Sequence, residues 1–410
     1  MLEMIRMFDS VALMPTCSTV SMDCAGPLAG WLLVAALVAW ATIWLLQPFA
    51  ARWGLVDHPS HARKDHGHSI PVTGGLGIFF GLVLSPLFFF PTDNPALLGF
   101  LAGAGLLMVV GILDDLYDLH WSIRILSQAV AALIMVKLGG VRVEQLGPAF
   151  GLDSLALGWL SLPFTVFATV GLINAINMID GVDGLCGSLV ACACLMLAGA
   201  AVYAGNLPMA MMALALVGAL LGFLAHNFAL PWRPRARVFM GNGGSALLGF
   251  CIAWISFSLT QNPGHPVSPV LALWLIPIPV LDCLVLIVRR YRAGRSPFAA
   301  GRDHVHHFMR DAGFSSTGVV LTLSALSLAS GLLAALLLLA DVPRPALLLG
   351  FFIVLGLWFR LSRSPARVVA LFAGLRARPY PASRQMLHMP APYSTRDKDH
   401  PNNAKRRDAA

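Results

Sequence analysis

Two amides and two carboxylates, Asn174, Asn177, Asp180 and Asp183, stand three residues apart in a run that is apolar on both sides. An ionised side chain in hydrocarbon costs a few kcal/mol at least, so such residues belong at a membrane face or in a wet cavity. Amides can read a nucleobase or an acetamido group, while carboxylates can hold ribose hydroxyls or a metal ion. Gly181 and Gly184 permit the helix to break among them. A second cluster, Asp114-Asp115-Leu116-Tyr117-Asp118, closes another apolar stretch. Asp114 and Asp118 share a helix face. Three carboxylates this close repel one another, which a divalent cation, a basic group or a shared proton relieves. Mg²⁺ suits all-oxygen ligation and recruits substrate phosphates.

Other polar groups fall in the connections. The loop from Asp57 to Gly77 carries Arg63 and Lys64 among His58, His61, His66 and His68, then Pro71, Gly74 and Gly75. Arginine and lysine can hold phosphate oxygens, and glycines at a helix start let N–H groups approach an anion. The same residues also suit a basic membrane anchor with a glycine-rich packing surface. Val238-Phe239-Met240-Gly241-Asn242-Gly243-Gly244-Ser245 reads either as a phosphate nest or as a loop turn. Asp282, about two turns before Arg289 and Arg290, is a packing residue or a cavity-facing acid. Arg302, His304, His306 and His307 can form a diphosphate clamp, with a histidine metal site as the competing reading.

These residues need a membrane scaffold to position them. A chain that is 57% hydrophobic and 12% charged, with mean hydropathy +0.75, lies outside the soluble globular range. Apolar stretches of spanning length fall near 27 to 48, 72 to 91, 95 to 113, 121 to 139, 155 to 173, 186 to 205, 208 to 225, 243 to 260, 269 to 288, 317 to 340 and 343 to 361. They predict an all-α polytopic membrane protein of about eleven transmembrane helices. An extension over 1–26 precedes the membrane domain of 27–362, and a basic, disordered tail follows over 363–410. Lys and Arg collect after the first, seventh and ninth stretches. That bias puts the N-terminus outside, the C-terminus inside and both carboxylate clusters at the cytoplasmic face. The net charge of +8 is accounted for by anionic lipid, and no aromatic–basic nucleic-acid module is visible. Cys186, Cys192, Cys194, Cys251 and Cys283 fall inside the stretches and read as apolar packing in preference to a metal site at Cys192 and Cys194.

In this order and on this face, the motifs resemble the polyprenyl-phosphate N-acetylhexosamine-1-phosphate transferase family over roughly residues 27 to 362. The family's Arg-Lys-x-His loop is matched by Arg63, Lys64 and His66 with Pro71, Gly74 and Gly75. Its paired aspartates are matched by Asp114 and Asp115 with Asp118, and its Asn-x-x-Asn-x-x-Asp-Gly-x-Asp-Gly pattern by Asn174, Asn177, Asp180, Gly181, Asp183 and Gly184. The His304-x-His306-His307 ending is most similar to the bacterial undecaprenyl-phosphate GlcNAc-1-phosphate branch, which starts O-antigen, teichoic acid or related glycans.

That resemblance implies a UDP-HexNAc donor, undecaprenyl phosphate or a similar lipid acceptor, Mg²⁺ with Mn²⁺ as the alternative ion, and UMP as product. It also implies a bacterial inner membrane location, an active site facing the cytoplasm, and compatibility with a homodimer. Asp114 would be the base, with Asp115, Asp180 and His304 beside it in the catalytic set, and Asp115 and Asn242 at the metal. Arg63, Lys64, Asn174 and Asn177 would contact substrate, Asp183 and Phe239 the uridine, and Arg302, His306 and His307 the diphosphate with His304.

Two positions depart from the family pattern. Asn242 replaces the aspartate of Phe-x-Gly-Asp-x-Gly-Ser, and Gly301 replaces that of Asp-Arg-x-His, with Asp303 as a shifted substitute. Aspartate restored at 242 and 301 is expected to improve Mg²⁺ use and rate. These departures motivate a second reading, a weakened paralogue acting as a binding or assembly subunit. A cation-coupled transporter is the rival from another class, and it requires acids at mid-bilayer.

Overall fold

The computed structural model describes residues 22–57, 69–87, 95–147, 155–229, 233, 235–262, 266–296 and 301–375. Arg63, Lys64, the histidines of the first loop, the N-terminal 21 residues and residues 376–410 lie outside the described residues. Long runs of Leu, Ala, Val and Gly satisfy their backbone polar groups within one segment only as helices. The helices are α1 (Met22–Leu46), α2 (Gly74–Leu87), α3 (Pro95–Tyr117), α4 (Trp121–Lys137), α5 (Ser161–Ile179), α6 (Leu185–Tyr203) and α7 (Leu207–Asn227). They continue as α8 (Gly241–Thr260), α9 (Pro269–Leu275), α10 (Pro277–Arg292), α11 (Val305–Asp311), α12 (Ser316–Leu339), α13 (Arg344–Ser362) and α14 (Pro365–Gly374). Among the described residues, one antiparallel ribbon, β1 (Val56–Asp57) with β2 (Ile70–Pro71), and an isolated bridge between Gln145 and Ala156 stand beside the helices.

The protein is multi-pass. Eight of the described helices are long and apolar enough to cross a membrane, and the bent pair α9–α10 makes nine. The count by length therefore falls short of the expected eleven. All eleven stretches are helical, but α2 has 14 described residues and α4 has 17. Seventeen residues reach about 25 Å, less than a hydrocarbon core of about 30 Å.

Both shorter helices start at the same end of the bundle, and α4 reaches the other. At one end, Gly74 and Gly75 of α2 donate to Phe239 O and Met240 O, each at 2.9 Å, just before α8. Gly111, near the end of α3, packs on Gly243 at the same place. Helix α4 begins beside Asp114 through Arg124 and ends where Gly139 meets Gly99 and Trp254, at the opposite end. The carboxyl ends of α3, α5, α7, α10 and α13 and the amino ends of α2, α4, α6, α8 and α12 thus gather at one polar face.

Two breaks shape that face. Between α5 and α6 the chain turns through Asp180–Gly184, and Gly184 has φ +80°, a left-handed conformation in which a side chain would be strained. Between α9 and α10 the axis bends by 88° at Pro277, which has no N–H to continue the ladder. The bend sets Cys283 Sγ 3.6 Å from Met178 Sδ on α5. Within the stretch expected to be tail, Pro365–Gly374 form helix α14, which buries Val368 and stacks Phe372 edge-on against Phe314. All five described cysteines are free thiols, and Cys186, Cys194, Cys251 and Cys283 are buried as packing residues.

Candidate active site

Asp114 is buried at the end of α3. One carboxylate oxygen accepts the Leu119 N–H at 2.9 Å and the other pairs with Arg124 Nη1 at 3.3 Å, so in this structure a basic group relieves the cluster. Asp115 points elsewhere: both its oxygens accept the Asn242 N–H, at 3.1 and 3.2 Å, which places a carboxylate on the first turn of α8. Asp118 is exposed, with φ +50°, and donates its N–H to Asp114 O where α3 ends.

The amides of α5 are tied to the neighbouring helices. Asn174 Nδ2 donates to Gln128 Oε1 at 2.7 Å, and Asn177 Nδ2 donates to Asn242 Oδ1 at 3.2 Å and Ser245 Oγ at 2.8 Å. Beyond them the break is pinned by Asn227, which accepts the Gly184 N–H and donates to Val238 O. Asp183 Oδ2 accepts the Ala236 N–H at 3.0 Å and so faces the segment leading to Phe239. Asp180 keeps a solvent-exposed edge yet is crowded by protein. Desolvation, then the charges of Asp183 and Asp115, raise its carboxyl to about 7.

A third group is built where α10 meets α11. Asp282, buried in α10, accepts from His304 Nδ1 at 2.8 Å and from the Val305 N–H at 3.1 Å, so it is a site-facing acid that also caps α11. The rings of His304 and His306 are parallel, with centroids 5.3 Å apart, and those of His306 and His307 lie 4.2 Å apart. Gly181 presses on His306 Nε2, and a β-carbon there would overlap the ring. Burial first, then neighbouring positive charges including His304 and Arg302, push His307 down to about 4 and His306 well below its ordinary range, so both are neutral near pH 7.

Arg290 Nη2 pairs with Asp303 Oδ1 at 2.9 Å, and a β-carbon on Gly301 would lie 2.6 Å from that oxygen and 2.9 Å from Arg290 Nη2. Asp303 therefore fills the place into which a side chain at 301 would grow. Burial opposes ionisation of Asp303, but the hydrogen bond and charge of Arg290 outweigh it and hold the carboxyl below the usual range. The expectation that aspartate at 301 would simply add a useful carboxylate is corrected by this geometry.

A recess of about 350 Å³ joins these groups. Asp114, Arg124 and Gln128 line one side, and Arg290, Gly301, His304, His306 and His307 the other. Asn174, Asn177 and Asn242 lie between them, and Leu107, Val110, Ile125 and Ile173 give it an apolar wall. Asp115, Asp180, Asp183, Phe239 and Arg302 do not line it. Arg302 instead reaches Asp311 at 3.4 Å from an exposed position. Among the described residues no three His, Cys, Asp or Glu groups converge into a metal cage. Mg²⁺ rarely needs one, since it binds through one or two carboxylates plus substrate phosphates. Asp115 and Asp180 fit that role: both are hard oxygen donors, and the charge of Asp115 already weighs on Asp180.

Two readings of the glycines change. The N–H groups of Gly74 and Gly75 are spent on Phe239 O and Met240 O, and Gly243 and Gly244 pack on Gly111 and Gly75. These glycines make close helix contacts, and of the phosphate nest read from residues 241 to 245 the Asn242 N–H is already held by Asp115. Arg124, Gln128 and Asn227 entered the site without notice from the sequence. Each is a polar residue near a helix end or on one helix face, where the only signal was polarity within a mainly apolar stretch.

The sequence matches the Glycosyl transferase family 4 profile over residues 97–260. It is 39% identical to an undecaprenyl-phosphate alpha-N-acetylglucosaminyl 1-phosphate transferase of Haemophilus influenzae, over 78% of this chain and 90% of that protein. Proteins of the same name from Yersinia pestis and Escherichia coli (strain K12) are 37% and 36% identical, over 72% and 68% of this chain and 80% and 76% of theirs. With that extent of similarity added to the motifs and the membrane fold, the chain belongs to glycosyl transferase family 4, the polyprenyl-phosphate HexNAc-1-phosphate transferases.

Proposed function

We propose that the protein transfers HexNAc-1-phosphate, with GlcNAc-1-phosphate as the first choice, from a UDP-sugar to undecaprenyl phosphate, releasing UMP and starting a lipid-linked envelope glycan. The observation that carries this reading is the division of the recess. Arg290 and three imidazoles form an anion-holding side, and Asp114 with Arg124 faces them across an apolar wall suited to a lipid chain. Phosphoryl transfer asks a protein mainly for such positioning and charge neutralisation. An oxygen of the lipid phosphate would attack the β-phosphorus, and the bond to the bridging oxygen would break with UMP taking that oxygen.

An acceptor phosphate competing for the Arg124 guanidinium would release Asp114 to remove its last proton. Asn174 and Asn177 would read donor amide and hydroxyl groups, and Asp183 and Phe239 the uridine. When bound, Mg²⁺, or Mn²⁺ in its place, supplies charge neutralisation for the diphosphate. Asp115 and Asp180 would hold it, with Asn242 sharing its amide oxygen between the ion and Asn177. The role of Arg63 and Lys64 at the substrate phosphates remains part of the proposal.

The alternation of helix directions supports eleven crossings, with the polar face in the cytoplasm of a bacterial inner-membrane protein. Reporters fused after His68, Leu230 or Ala410 should then report cytoplasm, and those near Gly205 or Gly264 the opposite side. The weakened-paralogue reading keeps Asn242 in its favour but loses part of its basis, because Asp303 supplies a carboxylate beside Gly301. Incubating the purified protein with undecaprenyl phosphate, Mg²⁺ and a panel of UDP-sugars tests the reading. UMP release with a UDP-HexNAc is expected, and no release with any member would overturn it.

A further inference from the structure

Asp282 is the single acid of α10, and an acid buried in an apolar helix is costly unless its oxygens are engaged. Both are: one accepts from His304 Nδ1 at 2.8 Å and the other from the Val305 N–H at 3.1 Å. A carboxylate can only accept, so His304 carries its hydrogen on Nδ1, and the ring orientation and tautomer are fixed together. Nε2 is left as the ring nitrogen for the recess that His304 lines. Its neighbours lack this support. His306 has no hydrogen-bond partner at either ring nitrogen and His307 none at Nδ1, although both rings crowd against His304.

We infer that Asp282 is a positioning residue: its carboxylate holds Nδ1–H, and the bound nucleotide-sugar phosphate takes Nε2–H, so that between the two anions His304 acts as the doubly protonated ring of the cluster. This rests on the transferase reading above. As the bond between the β-phosphorus and the bridging oxygen breaks, its electron pair goes to that oxygen on the departing nucleoside monophosphate. The His304 N–H hydrogen-bonds the growing charge and keeps its proton through the step. Other titratable groups surround the ring: Arg290 on α10, Arg302 and Asp303 in the preceding loop, the neutral His306 and His307 on α11, and Asp180 next to Gly181 at the end of α5. Helix α14, packed on α11, adds Arg367, and α12 brings no titratable group. Among these, Asp282 is the acid bonded to the His304 ring.

Asp282→Asn tests the pairing in the full-length protein. Its amide can still accept the Val305 N–H, but it presents an NH₂ to Nδ1 and withdraws the charge that supports the imidazolium. The expected result is at least about a tenfold loss in kcat/KM, the lower end of what a positioned proton-bearing group contributes after incomplete removal. Asp282→Glu should recover part of this, and adding Asp282→Asn to His304→Gln should cost little more than His304→Gln alone.

A second readout does not depend on turnover. In ¹⁵N-histidine-labelled protein, the His304 Nδ1 signal, identified by its loss in His304→Gln, should be that of a protonated nitrogen bonded to a carboxylate and should shift in Asp282→Asn. An Nδ1 signal unchanged by Asp282→Asn in an active parent would sink the pairing alone. No UMP release by the parent, with the Nδ1 signal still shifting, would sink the transferase reading and the phosphate contact with it.

Discussion

The two ends of this helix bundle both carry polar side chains, and they treat them oppositely. At the end away from the recess, Arg142 Nε donates to Ser161 Oγ at 2.6 Å, Thr165 Oγ1 accepts the Val143 N–H at 3.0 Å, and Gln261 Oε1 accepts the N–H groups of Glu144 and Gln145. These groups close on backbone and on one another. At the recess end, Asp114 pairs with an arginine that is more than one-third exposed, His306 has unpartnered ring nitrogens, and Arg290 shares its charge with a carboxylate next to an empty side-chain position at Gly301. Polar residues in an apolar bundle thus separate into those that finish the scaffold and those left open to something else. Burial alone does not tell them apart, since Thr165 and Asp114 are both buried.

Substitutions at the two ends should separate in the same way. The largest effect is expected at the open end, where Asp114→Asn and Asp183→Asn should each lower turnover at least about a hundredfold, within the range of general-base and electrostatic contributions, with membrane insertion unchanged. Near-native rates in both would put these residues on the same footing as the scaffold groups. Next, Gly181→Ala should cost about tenfold or more, because its methyl must displace buried His306, and overpacking of 1–3 kcal/mol is typical. Gly199→Ala, which meets nothing within 4 Å, should have no such effect.

Smaller changes are expected at the two departures from the family pattern. Asn242→Asp should lower the Mg²⁺ concentration for half-maximal activity, since a carboxylate replaces a neutral oxygen on the scale of a close charge interaction, up to a few kcal/mol. Unchanged Mg²⁺ dependence in an active parent would remove Asn242 from the metal. Gly301→Asp alone should reduce activity, because it forces a carboxylate against Asp303, and Asp303→Gly in the same chain should relieve the loss.

The His307 imidazole adds a pH dependence of known sign. Its folded value of about 4 lies below the ordinary 6.5, so the unfolded chain binds the proton first. Stability from this group is present above about 6.5 and lost as pH falls towards about 4. Thermal unfolding of His307→Gln should lack that component. At the closed end, Thr165→Val should leave activity unchanged and cost about 1–3 kcal/mol of stability, the penalty of stranding the buried Val143 N–H.

Much of this was legible in the residue order. Apolar length marked the long helices, and a carboxylate and two amides in apolar surroundings, Asp114, Asn174 and Asn177, marked the lining of the recess. The span count was less legible, because apolar length does not say where a turn falls: α4 closes at Lys137 after 17 residues. What the glycines do was not legible at all. A glycine that admits a neighbouring backbone and one that presents an N–H to phosphate look alike until the neighbour is known, as Gly75 against Gly244 illustrates. Arg124 escaped for a related reason: it is ten residues from the Asp114 it pairs with, across a turn between two helices. The partnership of Asp282 and His304, 22 residues apart, spans the loop between α10 and α11, and no spacing rule connects the two.

The most direct test of the central claim follows phosphorus rather than sugar. With UDP-GlcNAc labelled by ³²P at the β position, the purified protein and undecaprenyl phosphate should yield a labelled lipid, while label at the α position should leave in UMP. Label at the β position remaining in UDP while the sugar moves to lipid would contradict transfer of a HexNAc-1-phosphate.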